Sequence, residues 1–163
     1  MAAARQLFTQ NGYDATSMAS IAATAGVTPN TIYWYFKDKD ELLVGVLDVL
    51  LQEDLQAYAS EAATKPAVEK LMWAVERLRP FKGLVTTVHN RVNLSPRLNE
   101  WHEAFHTIFE GFLNTELPSA WPEAQRRAEA RVVAFTIEGL LSHGVNREDT
   151  QATCHALADR WAP

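Results

Sequence analysis

The sequence predicts an all-α protein, and three features carry that expectation. Gly and Pro are sparse, at seven each in 163 residues, while Ala and Leu are frequent. Apolar residues, 47% of the chain, recur at helical spacing. Runs that alternate Val, Ile or Thr with polar residues, the mark of half-buried strands, are missing. A chain of this length buries a real core, as one ordinary domain or as a small module fused to a larger one.

The helices follow in order. Residues 2–10 place Ala3, Ala4, Leu7 and Phe8 on one face, and Gly12 serves the C-terminus. Ser17 or Thr16 caps a short second helix whose apolar face is Met18, Ile21, Ala22 and Ala25. Gly26 ends it with a left-handed turn, and Val27 is expected to plug that turn. Thr28 reads as the N-cap of a third short helix, to about Tyr35, with Pro29 at its first position, where a missing N–H is harmless. Asp38 and Glu41 have the spacing of a capping box and open a fourth helix, running to about residue 59 on Leu42, Leu43, Val46, Leu47, Leu50 and Leu51. The polar stretch SEAATKP (60–66) is a candidate boundary. Further helices are expected at about 67–79, 81–93, 97–116, 122–143 and 148–161, which makes about nine.

Composition bounds the function. One cysteine, Cys154, rules out an internal disulfide and suits a reducing cytoplasm; it reads as a small buried apolar residue. No apolar run approaches the roughly 20 residues of a membrane span, and MAAARQLFTQ is too short and polar for a signal peptide. The net charge of −5 counts against non-specific binding to nucleic acid. Residues 1–50 share that sign: Arg5, Lys37 and Lys39 face Asp14, Asp38, Asp40, Glu41 and Asp48, so 3 − 5 = −2.

Four aromatics in a row, Tyr33 to Phe36, cannot all lie on one inward helix face. Two short helices joined by Ala25-Gly26-Val27, the second rich in polar and aromatic groups, make a helix-turn-helix pattern. The major groove admits one helix, and the first helix braces the second against the backbone.

The stretch LFTQNGYDATSMASIAATAGVTPNTIYWYFKDKDELL resembles the DNA-binding domain of the tetracycline-repressor (TetR) family of bacterial regulators. The marks are Leu7-Phe8, Gly12-Tyr13, Ser17, Ile21-Ala22, Ala25 to Val27, Thr31 to Tyr33, Tyr35-Phe36, Lys39 and Leu42, within about the first 50 residues. Beyond them only the helical layout agrees. The resemblance implies a DNA-binding domain over 1–48 and a ligand-binding and dimerisation domain over 49–163. It also implies that Thr28, Pro29, Asn30, Thr31 and Tyr33 face DNA, and that Ser17, Tyr35 and Lys39 touch phosphates. Ile32 and Phe36 would be core, and Trp34 would either face the groove or pack between helices. The implied protein is a cytoplasmic homodimeric regulator, a repressor released from operator DNA by a small apolar or aromatic effector; the acidic head leaves a dimeric ligand-binding protein without DNA binding as an alternative. It would need no cofactor or metal and would not be an enzyme. Two departures stand out. Ala19 and Ser20 replace charged residues common in the second helix, and the first helix begins without the family's basic arm. The expectation is that such an arm precedes residue 1 and supplies positive charge.

A rival motif is His102-Glu103-Ala104-Phe105-His106, the H-E-x-x-H pattern of zinc peptidases. His102 and His106 would bind the metal and Glu103 would act as base. The chemistry wants a third protein ligand, and the extended motif is absent because Phe109 and Phe112 stand where it would continue. The richest candidate ligand surface is Trp73, His89, Arg91, Trp101, His102, Phe105 and Phe109, since pockets of this kind are mostly apolar with a few polar groups. Val132, Phe135, Gly139 and Leu140 on one late helix, with Leu157 and Trp161 on the next, are candidates for a four-helix dimer interface.

Overall fold

The structure is a computed structural model that describes residues 1–161. Among these residues there are nine α-helices, two short 3-10 turns and no strand: α1 (Ala2–Asn11), α2 (Met18–Ala25), α3 (Pro29–Tyr33), α4 (Lys39–Glu61), α5 (Ala67–Leu78), α6 (Lys82–Arg91), α7 (Pro96–Glu116), α8 (Glu123–Ser142) and α9 (Arg147–Ala158). The 3-10 turns, Arg79–Phe81 and Asp159–Trp161, follow α5 and α9. The all-α expectation is met helix by helix, with most ends displaced by a residue or two.

Local chemistry sets those ends. Ser17 caps α2: its hydroxyl accepts from the Ser20 amide at 3.0 Å while the Ser20 hydroxyl accepts from the Ser17 amide at 3.0 Å. Gly26 closes α2 at φ 69°, where a side chain would be strained. Val27 donates its N–H to Ala22 at 3.0 Å, but its side chain is exposed and plugs nothing, contrary to the sequence expectation. Thr28 caps α3, with Pro29 next. Asp38 accepts from the Glu41 amide at 2.9 Å, as expected, but Glu41 reaches the Lys37 amide rather than that of Asp38, so the box is displaced by one residue.

Packing divides the chain into two compact units, and neither follows a single cut of the sequence. The first joins Met1–Ala57 to Gly83–His102; the second joins Tyr58–Lys82 to the chain from Glu103 on. In the first, α1, α2 and α3 pack in succession around Ala4, Phe8, Ile21, Ala22 and Ile32. Leu42, Leu43 and Val46 of α4, and Leu84, Val88 and Leu98 from the later segment, are also buried. In the second unit α5 packs against both α8 and α9, burying Leu71, Val75, Ala130, Val133, Ile137, Cys154 and Leu157.

Gly45 sits inside α4, where glycine weakens a helix. A Cβ there would stand 3.1 Å from Phe36 Cε1 and 3.2 Å from Met1 Cε, so the missing side chain is what lets Phe36 dock. Gly45→Leu is therefore expected to push Phe36 off α4 and to destabilise the fold by about 1–3 kcal/mol. Chemical denaturation with circular dichroism measures this, and an unchanged midpoint would show that the Phe36 site tolerates the bulk.

Candidate nucleic-acid interface

The helix-turn-helix expectation reduces to which side chains of α3 and its flank point outward. Ile32 is buried and Phe36 is half-buried, so these two anchor the segment. Tyr33, Trp34 and Tyr35 are 51%, 85% and 78% exposed. Three adjacent large rings left in water beside a polar turn form an exposed patch of the kind that marks an interaction surface. Trp34, open at the sequence level between groove and packing, faces outward. Ser17, Thr28, Pro29, Asn30 and Thr31 are exposed as well. The hydroxyls of Thr28 and Thr31 lie 3.1 Å apart, and the Asn30 amide is the strongest candidate for reading a base edge there.

Lys39 is placed differently from a simple phosphate contact. Its Nζ donates to the carbonyls of Tyr13 and Thr16, both at 2.9 Å, and stands 4.0 Å from the centroid of the Tyr13 ring. Two of its three donors thus tie down the turn between α1 and α2. Burial lowers its pKa from the ordinary lysine value, partly opposed by Asp14.

Beneath that turn lies a network that the sequence did not reveal. The Tyr13 hydroxyl donates to Asp40 Oδ1. Arg91 grips the same carboxylate at two points, Nε to Oδ1 and Nη2 to Oδ2, each 3.0 Å. The Ser95 hydroxyl also bonds it, and the Arg91 guanidinium lies 4.6 Å from the Tyr13 ring centroid. Burial pushes the Asp40 carboxyl up, but the bonds from Arg91, Tyr13 and Ser95 outweigh it and hold the pKa below the usual carboxylate range. Burial, then the bond to Asp40, raises the Tyr13 phenol well above its ordinary value.

The network also softens the charge difficulty of the first 50 residues. Asp40 is matched by Arg91, Asp38 caps α4, and Asp48 accepts the Trp101 indole N–H at 2.8 Å. With Glu41, which accepts from the Lys37 amide, four of the five acidic groups there are held by donors of their own unit.

Comparison with known proteins agrees with this geometry. Residues 1–46 match the model of bacterial regulatory proteins of the tetR family. The N-terminal region is thus similar to the DNA-binding part of tetR-family regulators. It is 34% identical over 105 residues to the HTH-type transcriptional regulator TtgR of Pseudomonas putida, an alignment covering 64% of this chain and 46% of TtgR. The chain thus spans about half the length of that relative. A transcriptional regulator from Rhodococcus superposes with a TM-score of 0.79 at 16% identity, covering 98% of this chain and 92% of the other. Bacillus subtilis FadR, solved with stearoyl-CoA, gives 0.64 at 22%, covering 97% and 93%. These two likenesses show the fold.

The candidate ligand residues fall into both units. In the first, Arg91 is committed to Asp40, so it is not the open cation the sequence suggested for a ligand carboxylate. Trp101 is bonded to Asp48, and His89 meets His102 edge to face at 5.1 Å. In the second, Phe105 stacks on Phe109 at 5.5 Å, and Trp73 packs edge-on to Tyr58 while donating to Glu61 at 3.0 Å. Phe112 meets Tyr58 at 4.7 Å. Of the H-E-x-x-H motif, His106 lies 3.2 Å from the Glu138 carboxylate and Glu103 is exposed. Asp40, Asp48, Glu61 and Glu138, the carboxylates holding these side chains, were missed because each partner is distant in sequence.

The dimer candidates also separate. Val132 and Phe135 are 40% and 57% exposed. Leu140 and Leu157 are buried in this chain's own second unit and do not belong to an exposed face, which corrects the sequence reading. The Trp161 indole N–H donates to the buried Glu129 at 3.1 Å beside Arg160 at 2.6 Å, so its polar edge is engaged within the chain.

The Asp40 carboxylate has a pKa lower in the folded than in the unfolded chain, so its stabilisation is present above the unfolded value of about 4 and is lost as pH falls through the folded one. The gap in melting temperature between wild type and Asp40→Asn is expected to be wide near neutrality and to close below about pH 4. A gap that stays constant from neutral pH into acid would show that the carboxylate's charge is not what matters.

Proposed function

We propose that this chain is a ligand-responsive DNA-binding transcriptional regulator, a repressor that leaves its operator when a small apolar or aromatic effector binds. One observation carries the DNA reading: α3 buries Ile32 while Tyr33, Trp34 and Tyr35 stand outward beside exposed Thr28, Asn30 and Thr31. The assigned contacts are Thr28, Pro29, Asn30, Thr31, Tyr33 and Trp34 to the groove, and Ser17, Tyr35 and the remaining donor of Lys39 to phosphates. Lys37, exposed just past the aromatics, is added as a phosphate contact. Residues 1–48 form the DNA-binding part and 49–163 the effector-binding and dimerising part of a cytoplasmic protein. No helix among the described residues is long and apolar enough to cross a membrane.

Trp73, Phe105 and Phe109 supply apolar surface suited to the effector, and the stearoyl-CoA held by the FadR neighbour is one apolar precedent. The homodimer uses the outer face of α8, where Val132 and Phe135 are exposed. Gly139 on the same helix has nothing within 4 Å of where a Cβ would be, so this chain's own packing gives no reason for a glycine there. Close approach of a second α8 gives one. A two-fold dimer would set two copies of α3 into successive major grooves, roughly 34–36 Å apart. Effector binding lowers DNA affinity because it favours an arrangement in which that spacing is lost.

Fluorescence anisotropy with labelled DNA from just upstream of the coding region tests the DNA reading. Binding is expected to depend on sequence and to weaken with salt, with a log–log slope of about −0.9 per phosphate contact. Tyr33→Ala should reduce affinity while leaving the oligomer intact; a mutant that binds normally would remove Tyr33 from the interface. Phe135→Asp should convert the dimer to a monomer of unchanged helix content, read by light scattering after size-exclusion chromatography. A Phe135→Asp dimer as tight as wild type would place the interface elsewhere.

A further inference from the structure

We infer that Arg91 and Asp40 are positioning residues for DNA recognition: their two-point contact sets the angle at which α2 and α3 are held against the end of α6. The inference rests on the DNA-binding reading above and assigns a role to residues that touch no DNA.

The argument begins with the ends of two helices. Asp40 lies in the first turn of α4, where the helix dipole favours an anion, and Arg91 is the last residue of α6, where it favours a cation. The two therefore suit their positions before they meet. Nε meets Oδ1 and Nη2 meets Oδ2, each at 3.0 Å. A single-point contact would fix only a distance, whereas the paired one also fixes orientation, because guanidinium and carboxylate are both planar.

The carboxylate then passes that orientation toward the recognition helix. Tyr13 donates to Oδ1 from the turn between α1 and α2, and Ser95 bonds the carboxylate from the α6–α7 loop. Lys39, the neighbour of Asp40, holds the carbonyls of Tyr13 and Thr16. Ser17, directly after Thr16, caps α2, and α2 packs on α3. Each step from Arg91 to α3 is a hydrogen bond, a peptide link between neighbouring residues or a direct packing contact, and all lie in one compact unit.

A plain stabilising ion pair is the competing account. The Arg91 and Asp40 side chains are 27% and 16% exposed, so the part-buried pair does stabilise the fold, and stability alone does not separate the two accounts. The planar two-point grip is what a plain ion pair would not need. Arg91→Lys separates the two accounts, since it keeps the positive charge but gives up the two-point grip.

Amide hydrogen exchange on the full chain, with mass spectrometry, reads the joint without DNA. Arg91→Met and Arg91→Lys are both expected to speed exchange over residues 13–33 and to leave 123–158 unchanged. Both should weaken binding to the upstream DNA by about three- to tenfold, the size of effect that residues without ligand contact have on a distant site. Unchanged exchange over 13–33, or full rescue of DNA affinity by Arg91→Lys, overturns the inference. So does altered exchange with wild-type affinity. If the wild-type chain itself binds no such DNA, the DNA-binding reading falls and the positioning role falls with it. The exchange result would then report only whether the joint holds the turn.

Discussion

The Asp40 carboxylate is the point on which the first unit depends. It accepts from Tyr13, from two nitrogens of Arg91 and from Ser95, so its lone-pair directions are filled by four donors from two separate stretches of chain. A buried carboxylate without such donors would be protonated or would disrupt its surroundings. Here the donors hold it ionised, and they join the turn after α1, the start of α4 and the end of α6. The segment Gly83–His102 therefore packs with the N-terminal helices, although 25 residues of the other unit, 58–82, separate them in sequence.

The same constraint shapes the candidate interface. Lys39 and Arg91 both stand near the Tyr13 ring, and Lys39 is occupied with two carbonyls of the turn. The acidic balance of the first 50 residues looks hostile to DNA when counted as charge. Counted as partners it is milder, because Asp38, Asp40 and Asp48 each accept from a donor in the same unit. What remains outward at α3 is aromatic and neutral polar. Such a surface reads groove shape, methyl groups and base edges more than it gathers phosphates. Specificity in such a head would rest on fit, with less non-specific attraction than a basic head has.

The second unit uses its apolar residues mostly on itself. Leu140 and Leu157 looked like dimer contacts in the sequence, yet both are buried within the unit, where α5 packs on α8 and α9. Glu129, buried, takes both Arg160 and Trp161, which fixes the chain just after α9. Burial pushes the Cys154 thiol pKa up, so it behaves as a small apolar group, as its lone occurrence suggested. The exposed remainder on α8, Val132 and Phe135 with Gly139 on the same helix, is narrower than the stripe the periodicity drew.

Sequence alone determined what short-range chemistry controls. Ser17, Gly26, Thr28, Pro29 and Asp38 act through bonds a few residues long, so the helix ends and the helix-turn-helix were legible from spacing, while the inward roles of Ile32 and Phe36 came from the family resemblance. The orientation of Trp34 was not, because its neighbours on both sides are also aromatic and periodicity cannot rank them. Which apolar stripe meets which helix, and which charge meets which, was decided only by the tertiary structure. Arg91 read as a ligand-binding cation because its partner lies 51 residues away. Leu157 read as a dimer contact because a stripe on a helix does not say whether its own chain or another copy will cover it. Pairings of that kind follow from how the chain closes on itself, and local residue pattern does not encode them.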